Sequence, residues 1–276
     1  MTNIKAVIFG IIQGLTEFIP ISSSGHLVIF QNLLGLEDTS QYIMFDILLY
    51  IGTLVSVLFF YWKDVLGLIK SFFSIINDTI KGKANLKQKE HRLLIAVIIG
   101  TLPLFVAVLI KSKIESLFSS IFCVGFSLLV TGVILFLTDK IGNNNKTNDD
   151  IPYKSAFIVG LFQLFAILPG ISRSGSTIFG GVLSGFKKEF AVKFSLLLSI
   201  FAILGATAAS VPDVITGGGI SATPFQCVLG MLTSAVSGIM AIKFLVRVLN
   251  KGKFKYFAFY CWAVGILTLF ISYGVR

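Results

Sequence analysis

Charged residues are scarce in this 276-residue sequence, and their scarcity excludes an ordinary soluble domain. Asp, Glu, Lys and Arg make up 13% of the residues, whereas hydrophobic residues make up 55%. A soluble domain carries about 25% charged residues. Long polar stretches are also lacking, and apolar stretches recur along the whole chain. We therefore predict an all-α membrane protein that crosses the bilayer several times, with residues 1–276 forming a single integral membrane domain.

Cysteine is rare too, and the basic residues are confined to short loops. Cys123, Cys227 and Cys261 all lie in apolar segments, so we expect small core residues rather than a disulfide or a metal site. The net charge of +10 would suit a nucleic-acid partner. However, Lys and Arg cluster between the apolar segments, which is typical of topology determinants. We expect membrane lipid as a partner and no nucleic acid.

The chain contains one internal repeat, in which equivalent positions are 150 residues apart. The segment "VIFGIIQGLTEFIPISSSGH" (7–26) resembles "FIVGLFQLFAILPGISRSGS" (157–176). The identical pairs include Gly10 and Gly160, Gln13 and Gln163, Ser22 and Ser172, Ser24 and Ser174, and Gly25 and Gly175. Such a match predicts a duplication, with the first repeat over residues 1–150 and the second over residues 151–276.

Each repeat opens with an apolar segment that Pro, Ser and Gly interrupt halfway. Each half is too short to cross ~30 Å of hydrocarbon, and these residues favour helix ends and N-caps. Residues 5–35 and 155–186 are therefore predicted to be re-entrant helical hairpins, which return to the side they came from. Three full spans follow each hairpin, at about 42–62, 92–111 and 120–139 and at about 190–211, 224–247 and 256–274.

An odd number of spans after each hairpin inverts the second repeat relative to the first. One side of the membrane then receives most of the Lys and Arg residues, and the other receives only Lys5, Lys111, Lys113 and Arg276. The positive-inside rule places the basic side in the cytoplasm. Both termini are then expected outside the cytoplasm. The first hairpin enters from outside and the second from the cytoplasm, so their tips are expected to meet near the midplane.

The two hairpin turns carry the residues that predict an anion site at this meeting point. A turn followed by a helix N-terminus presents unpaired N–H groups and the positive end of a dipole. Arg173 adds a planar fork suited to phosphate oxygens, and a guanidinium inside the membrane costs at least ~2.5 kcal/mol by insertion scales. Capping or helix packing is the alternative explanation for each single serine. The other candidate phosphate ligands are Ser22, Ser24, Gly25, Gly170, Ser172, Ser174 and Thr177.

A carboxylate, an imidazole and serines around an anion site are the parts of a hydrolytic or phosphoryl-transfer centre. Gln13 and Glu17 are spaced i and i+4, so they share one helix face before the first turn. We expect Ser23 to be the nucleophile, Glu17 the base or a metal ligand, and His26 the proton shuttle. Attack by His26, or by a water held by Glu17 and a metal, are open alternatives. In the purely structural alternative, Glu17 pairs with Arg173 and His26 is a hydrogen-bonded core residue.

Three further features lie outside the two turns. Asp46 in "MFDILLYIGTL" is a buried acid near the outer end of a span, either a supporting group or a helix-terminal one. His91 in "KQKEHRL" is expected to be solvated, because the loop 63–91 is predicted to be cytoplasmic. The small residues of "GATAAS" (205–210) predict close helix contacts.

The two turns closely resemble the signature segments of the bacterial undecaprenyl-diphosphatase family, the bacitracin-resistance phosphatases. "QGLTEFIPISSSGHL" is similar to E/Q-x-x-x-E followed by S-S-x-G-H, and "LPGISRSGST" is similar to P-G-x-S-R-S-x-x-T. The resemblance implies hydrolysis of undecaprenyl diphosphate to undecaprenyl phosphate and inorganic phosphate, usually with a divalent cation such as Mg²⁺ or Ca²⁺. It also implies a bacterial cell-membrane location and recycling of the lipid carrier for cell-wall synthesis. An active site open to the outside is expected because the first hairpin is predicted to enter from outside.

Two positions depart from that family pattern. Gln13 stands where many members have a second Glu, so a metal would rely on Glu17, with Gln13 as a weaker ligand. Tyr50 stands where His is expected in many relatives.

A polyprenyl-phosphate transporter or flippase is the alternative function, since inverted repeats with broken helices are transporter architecture. The sequence leaves the oligomeric state open, with a homodimer as one alternative.

Overall fold

The protein is a bundle of apolar helices. Its computed structural model describes residues 1–34, 42–82, 89–110, 114, 117–118, 120–141, 145–147, 151–215, 222–249 and 253–274. Over these ranges the regular structure is helical, apart from an isolated bridge between Lys146 and Phe186. Five described helical segments are long and apolar enough to cross a membrane, or six if one bent pair counts as a span. The prediction of an all-α, multi-pass membrane protein is confirmed.

The helices follow the apolar pattern of the sequence. Those of the first half are α1 (Asn3–Phe18), α2 (Ser23–Leu33), α3 (Ile43–Phe60), α4 (Trp62–Ile80), α5 (Lys89–Thr101), α6 (Phe105–Leu109) and α7 (Ile121–Lys140). Those of the second half are α8 (Tyr153–Phe165), α9 (Arg173–Leu183), α10 (Lys188–Ile215), α11 (Pro224–Leu249) and α12 (Lys255–Gly274). A 3₁₀ turn at Leu102–Leu104 joins α5 to α6. Lys111, inside one predicted span, lies outside the described residues, and the division into two repeats stays a prediction.

Two pairs of short helices, α1–α2 and α8–α9, carry the two polar turns. The four helices have 16, 11, 13 and 11 residues, whereas about 20 are needed to cross the hydrocarbon core. Pro20 follows the end of α1, where it prevents a regular continuation. Ser22 and Ser172 are the N-caps of α2 and α9.

Each short pair packs against a long segment from the other half of the chain. α1 lies against α11, where a Cβ on Gly10 would come within 2.5 Å of Gly230 O. α8 lies against α5, where a Cβ on Gly160 would come within 2.5 Å of Gly100 O. Gly10 and Gly160 are equivalent in the sequence repeat. At both interfaces the missing side chain therefore lets two helix backbones approach closely.

The end of the α1–α2 pair that lies away from its turn, here called the base of the pair, is beside the start of α11. Lys5 Nζ donates a hydrogen bond to Leu34 O at 2.8 Å, which closes the base of the α1–α2 pair. Gln226 Nε2 donates to Met1 O, also at 2.8 Å. These bonds bring the start of α1, the end of α2 and the start of α11 to one end of the bundle.

The base of the second pair lies beside other helix ends. Lys146 Nζ donates to Ser184 O at 2.8 Å, next to the end of α9. Asp139, near the end of α7, accepts a hydrogen bond from Lys255 N at 2.7 Å and lies 3.7 Å from Lys188 Nζ. The end of α7 and the starts of α10 and α12 therefore cluster together.

A helix, α4, occupies most of the segment in which the sequence predicts only a loop. It is bent by 89° from α3, and its Asp64 forms a 2.6 Å ion pair with Lys193 of α10. The prediction that His91 is solvated is wrong, because the side chain is only 2% exposed and its Nε2 lies 3.4 Å from Ser74 Oγ on α4. Packing of α4 over the start of α5 buries this histidine.

Candidate active site

The two polar turns meet inside the bundle. A Cβ on Gly25 would come within 3.1 Å of Gly170 Cα, so the tips of the two pairs are in contact. Gly170 has a φ of +92°, a conformation that favours glycine. Its carbonyl accepts a hydrogen bond from Thr131 Oγ1 of α7 at 2.9 Å, and Thr131 Oγ1 in turn accepts from Ser172 N at 3.0 Å. Thr131 therefore fixes the second turn against α7.

Ser23, Glu17 and Arg173 form one hydrogen-bonded chain across the two turns. Ser23 Oγ donates to Glu17 Oε2 at 2.7 Å, and Arg173 Nη2 lies 2.5 Å from Glu17 Oε1. The Glu17 side chain is 5% exposed and the Arg173 side chain 17% exposed. A shielded carboxylate that accepts from a serine hydroxyl is placed to remove its proton. The neighbouring guanidinium is suited to bind an anion.

Gln13 supports the carboxylate from one helical turn earlier on α1. Its Nε2 donates to Glu17 Oε2 at 3.0 Å. Its Oε1 is buried and has no hydrogen-bond partner in the described part of the chain. A buried acceptor without a partner costs free energy, and such atoms in native proteins often mark a functional site.

These residues open into a cavity of about 550 Å³. Its polar lining includes Glu17, Ser23, Ser24, Ser172 and Arg173. Its apolar lining comes from the α5–α6 segment and from α10, and includes Leu104, Phe105, Val108, Phe201, Ala202 and Ala206. The prediction of close helix contacts at 205–210 is wrong, because a Cβ on Gly205 would meet nothing within 4 Å. The small residues of α10 instead form a wall of the cavity.

The predicted phosphate ligands divide into cavity residues and turn-holding residues. Ser22 Oγ accepts from Gly25 N at 3.2 Å, as an N-cap. Ser22 also has a φ of 72°, which costs a non-glycine residue about 1–2 kcal/mol. Ser174 and Thr177 do not line the cavity. Thr177 Oγ1 lies 2.6 Å from Ser195 Oγ of α10, where it holds α9 in place.

His26 lies beside the first turn and does not line the cavity. Its Nδ1 is 2.7 Å from Ser22 O, and its Nε2 is 2.9 Å from the Tyr260 hydroxyl of α12, on which the imidazole ring stacks. Because a carbonyl oxygen can only accept, Nδ1 carries the proton, and Nε2 of the neutral ring accepts from Tyr260. Sequence reasoning missed Tyr260 and Thr131, because neither residue belongs to a motif.

The family model described as "Bacitracin resistance protein BacA" matches residues 6–267. The chain belongs to this family. It is 43% identical over 274 residues to "Undecaprenyl-diphosphatase" of Alkaliphilus metalliredigens (strain QYMF), with 99% of both chains covered. It is 42% identical over 273 residues to the protein of that name from Halothermothrix orenii, again with 99% of both covered. The protein of that name from Methanosphaera stadtmanae is 38% identical over 275 residues, with 98% of both covered. The resemblance drawn from the two turns is thus confirmed over nearly the full length.

In this BacA-family chain, Glu17 and Gln13, the residues expected to hold a divalent cation, lie one turn apart on α1, and only Glu17 lines the cavity. The described residues contain no group of three or more His, Cys, Asp or Glu that could hold a metal ion alone. Mg²⁺ often binds through one or two carboxylates together with substrate phosphates. The Glu17 carboxylate matches that requirement, with most ligands left to substrate and water, whereas Gln13 presents Nε2 rather than Oε1 to Glu17.

Tyr50 and Asp46 lie on α3, next to the first turn. Tyr50 lines the cavity together with Glu17 and Ser23. Asp46 lies one helical turn earlier and forms a side-chain hydrogen bond with Gln31 of α2. Asp46 therefore joins α3 to the second helix of the first pair, whereas Tyr50 contributes to the wall of the site in this BacA-family member.

Proposed function

We propose that the chain is an integral membrane phosphatase that hydrolyses undecaprenyl diphosphate to undecaprenyl phosphate and inorganic phosphate. The main support for this function is the hydrogen-bonded chain of Ser23, Glu17 and Arg173, which lies in a cavity whose other walls are mostly apolar. A diphosphate head requires a cation and hydrogen-bond donors, whereas a polyprenyl tail requires apolar surface. The name of these relatives, undecaprenyl-diphosphatase, supports this substrate. The reaction would recycle the lipid carrier for cell-wall synthesis and confer bacitracin resistance.

In the proposed reaction, Ser23 Oγ attacks the terminal phosphorus while Glu17 accepts the hydroxyl proton. The bond between this phosphorus and the bridging oxygen breaks, and undecaprenyl phosphate leaves with the electron pair. Arg173 exchanges its contact with Glu17 for phosphate oxygens and stabilises the charge in the transition state. Glu17 releases this proton to solvent and then deprotonates a water molecule, which attacks the phosphorus of the phosphoserine. The bond between phosphorus and Ser23 Oγ breaks, Ser23 Oγ takes the proton from Glu17, and inorganic phosphate is released. Direct attack by water is the alternative that Ser23→Ala tests.

His26 is proposed to protonate the leaving phosphate, and its surroundings set a condition on that role. Both ring nitrogens are engaged, one with Ser22 O and the other with Tyr260. Nε2 carries no proton in this arrangement, so proton transfer from it requires the imidazole to leave Tyr260 and first to take up a proton from solvent. Otherwise the ring contributes by holding the turn that carries Ser23.

A divalent cation, Mg²⁺ or Ca²⁺, is proposed as the cofactor, with Glu17 and Gln13 as its protein ligands. When bound, it would neutralise charge on the diphosphate oxygens. Glu17 could then carry out its role as base only with the carboxylate oxygen that the cation leaves free. Ser23 donates to Oε2 and Arg173 contacts Oε1, so the two oxygens already differ in their surroundings.

The chain is proposed to form two inverted repeats in a bacterial cell membrane, with both termini outside the cytoplasm. The bases of the two short pairs support this, since one lies with the start of α11 and the other with the end of α7 and the start of α10. Lys140, Lys146, Lys187, Lys188 and Lys255 accompany the second base. The positive-inside rule makes that end cytoplasmic. The far ends of the α5–α6 segment and of α10 then lie outside, so the cavity is proposed to open outward.

Labelling of single cysteines in intact cells tests this topology. An impermeant thiol reagent is expected to label Asn3→Cys, near the start of α1, and to leave Asn77→Cys on α4 unlabelled until the cells are opened. Both variants need a background in which the three native cysteines are replaced. The reverse pattern would contradict the proposed orientation.

A polyprenyl-phosphate transporter or flippase is the less favoured function. Transport does not require a serine hydroxyl that is hydrogen-bonded to a carboxylate, as Ser23 is to Glu17. In addition, the full-length relatives carry the name of a phosphatase. Phosphate release from undecaprenyl diphosphate by the protein in detergent separates the functions. Binding without release would favour transport.

A homodimer is likewise proposed as one assembly state, which the mass of the protein in lipid nanodiscs tests.

A further inference from the structure

Helix α4 presents an apolar stripe that the rest of the described chain leaves uncovered. The stripe consists of Trp62, Leu66, Ile69, Phe73, Ile76 and Ile80. Intervals of four and three residues place these side chains on one helix face. Their exposed fractions range from 41% to 80%. An apolar surface of this extent marks contact with a protein or a membrane.

The other two faces of α4 differ in character from this stripe. A neighbouring polar stripe consists of Lys63, Gly67, Lys70, Asn77 and Lys81, all of them exposed. On the third face, Leu68 and Ser71 are buried against the bundle. The Asp64–Lys193 ion pair anchors the start of that face to α10. The helix is thus attached on one side and offers an apolar face and a basic face outward.

The direction of α4 identifies what covers the apolar stripe. α3 is an apolar helix of 18 residues, and α4 turns away from it by 89°. A helix perpendicular to a membrane-crossing helix runs parallel to the membrane plane, at the level where α3 ends. The exposed Leu58 and Phe59 at the end of α3 continue the apolar surface toward Trp62. Trp is enriched at membrane–water interfaces, and lysines beside such a stripe attract anionic headgroups.

We propose that α4 lies in the membrane–water interface and binds the anionic phospholipids of the leaflet at its end of the bundle. The apolar stripe enters the boundary between headgroups and acyl chains. Lys63, Lys70 and Lys81 face the phosphate groups of the lipids. This lipid-binding surface is separate from the cavity of Glu17, Ser23 and Arg173, and it does not depend on the proposed reaction.

Spin labels on the full-length protein in lipid vesicles test this proposal. Phe73→Cys places a label on the apolar stripe, and Gly67→Cys is the control on the polar stripe, where an added Cβ meets nothing within 4 Å; both are made in a cysteine-free background. We expect the label at position 73 to collide with oxygen, which concentrates in the bilayer, and the label at position 67 to collide with a water-soluble nickel chelate. Retention of a single size-exclusion peak checks that each variant is folded.

Two outcomes at position 73 would overturn the proposal. Ready collision with the nickel chelate would place the stripe in water. Shielding from both reagents, with broadening by a second label, would mean that another copy of the chain covers it. The charge component is tested with vesicles of phosphatidylcholine, with or without phosphatidylglycerol. Phosphatidylglycerol is expected to move the label deeper, and replacing Lys63, Lys70 and Lys81 by Gln is expected to remove this effect. Equal depth in both vesicle types would refute binding of anionic lipid.

Discussion

Arg173→Lys keeps the positive charge at the second turn but removes the planar fork that contacts Glu17. The wild-type Arg173 Nη2 lies 2.5 Å from Glu17 Oε1, so one edge of the guanidinium holds the carboxylate before substrate binds. Lysine offers a single point of charge and cannot span two phosphate oxygens in the same geometry. Loss of one aligned donor to a transition state lowers kcat by ~10²–10³. We expect a loss of this size in phosphate release from undecaprenyl diphosphate.

Stability measurements separate the role of the fork from that of the ion pair. Arg173→Ala leaves the buried Glu17 charge without its cation, a change that costs about 3–5 kcal/mol for a buried pair. We expect the lower end of that range, because Ser23 and Gln13 still donate to Glu17. Arg173→Lys is expected to unfold near the wild-type temperature in detergent. The double variant Glu17→Gln, Arg173→Ala is expected to recover stability but no activity, because it removes both charges.

Two results would refute this reasoning. Near-normal turnover of Arg173→Lys would mean that only the charge matters at this position. Wild-type stability of Arg173→Ala would mean that the ion pair with Glu17 does not hold the two turns together.

Three further predictions concern the turns and the cofactor. Gly170→Ala places a Cβ 2.6 Å from Ser127 Cβ at a positive φ. We expect it to lower the free energy of unfolding by more than the ~1–2 kcal/mol that a left-handed backbone alone costs a non-glycine residue. Thermal unfolding measures this loss, and Gly205→Ala, where a Cβ meets nothing within 4 Å, is the control and is expected to be neutral. His26→Asn keeps a donor for the Ser22 carbonyl but cannot shuttle a proton, so the proposed role predicts that its kcat falls as far as that of His26→Ala, by at least ~10²-fold; a kcat at least about tenfold above that of His26→Ala would instead assign His26 to holding the turn. Chelation of divalent cations is expected to lower phosphate release. Gln13→Ala is expected to raise the Mg²⁺ concentration that gives half the maximal rate. Full activity in the presence of chelator would exclude the proposed cofactor.

The sequence predicts the turn residues well because their signals are local. Pro20 and the capping serines end and start helices wherever they occur, and the second copy of the pattern at Ser172 doubles that signal. The contact between Gly25 and Gly170 follows from hairpins whose tips meet, and the structure places these two residues against each other. The meeting of the two turns could therefore be predicted from the sequence alone.

Other features depend on the fold and have no local signal. Tyr260 meets His26 across 234 positions of sequence, and no motif or period connects the two residues. The helix α4 escaped prediction because Lys63 and Lys70 interrupt the apolar run in the sequence and lower the hydropathy of the segment. The small residues around Gly205 were assigned to helix packing, but small side chains serve equally well as the wall of a cavity. Only the position of α6 relative to α10 distinguishes these two uses.

Release of inorganic phosphate from undecaprenyl diphosphate by the purified full-length protein, measured beside Ser23→Ala, tests the proposed function most directly. We predict release by the wild type. In Ser23→Ala we predict a kcat at least ~10²-fold lower, with an unfolding temperature close to that of the wild type, since Ser23 contributes one partly buried hydrogen bond. Loss of a catalytic group lowers the rate by ~10²-fold or more. If Ser23→Ala keeps more than about a tenth of the wild-type rate, Ser23 is not the nucleophile. A wild-type protein that binds the lipid and releases no phosphate would contradict the phosphatase itself.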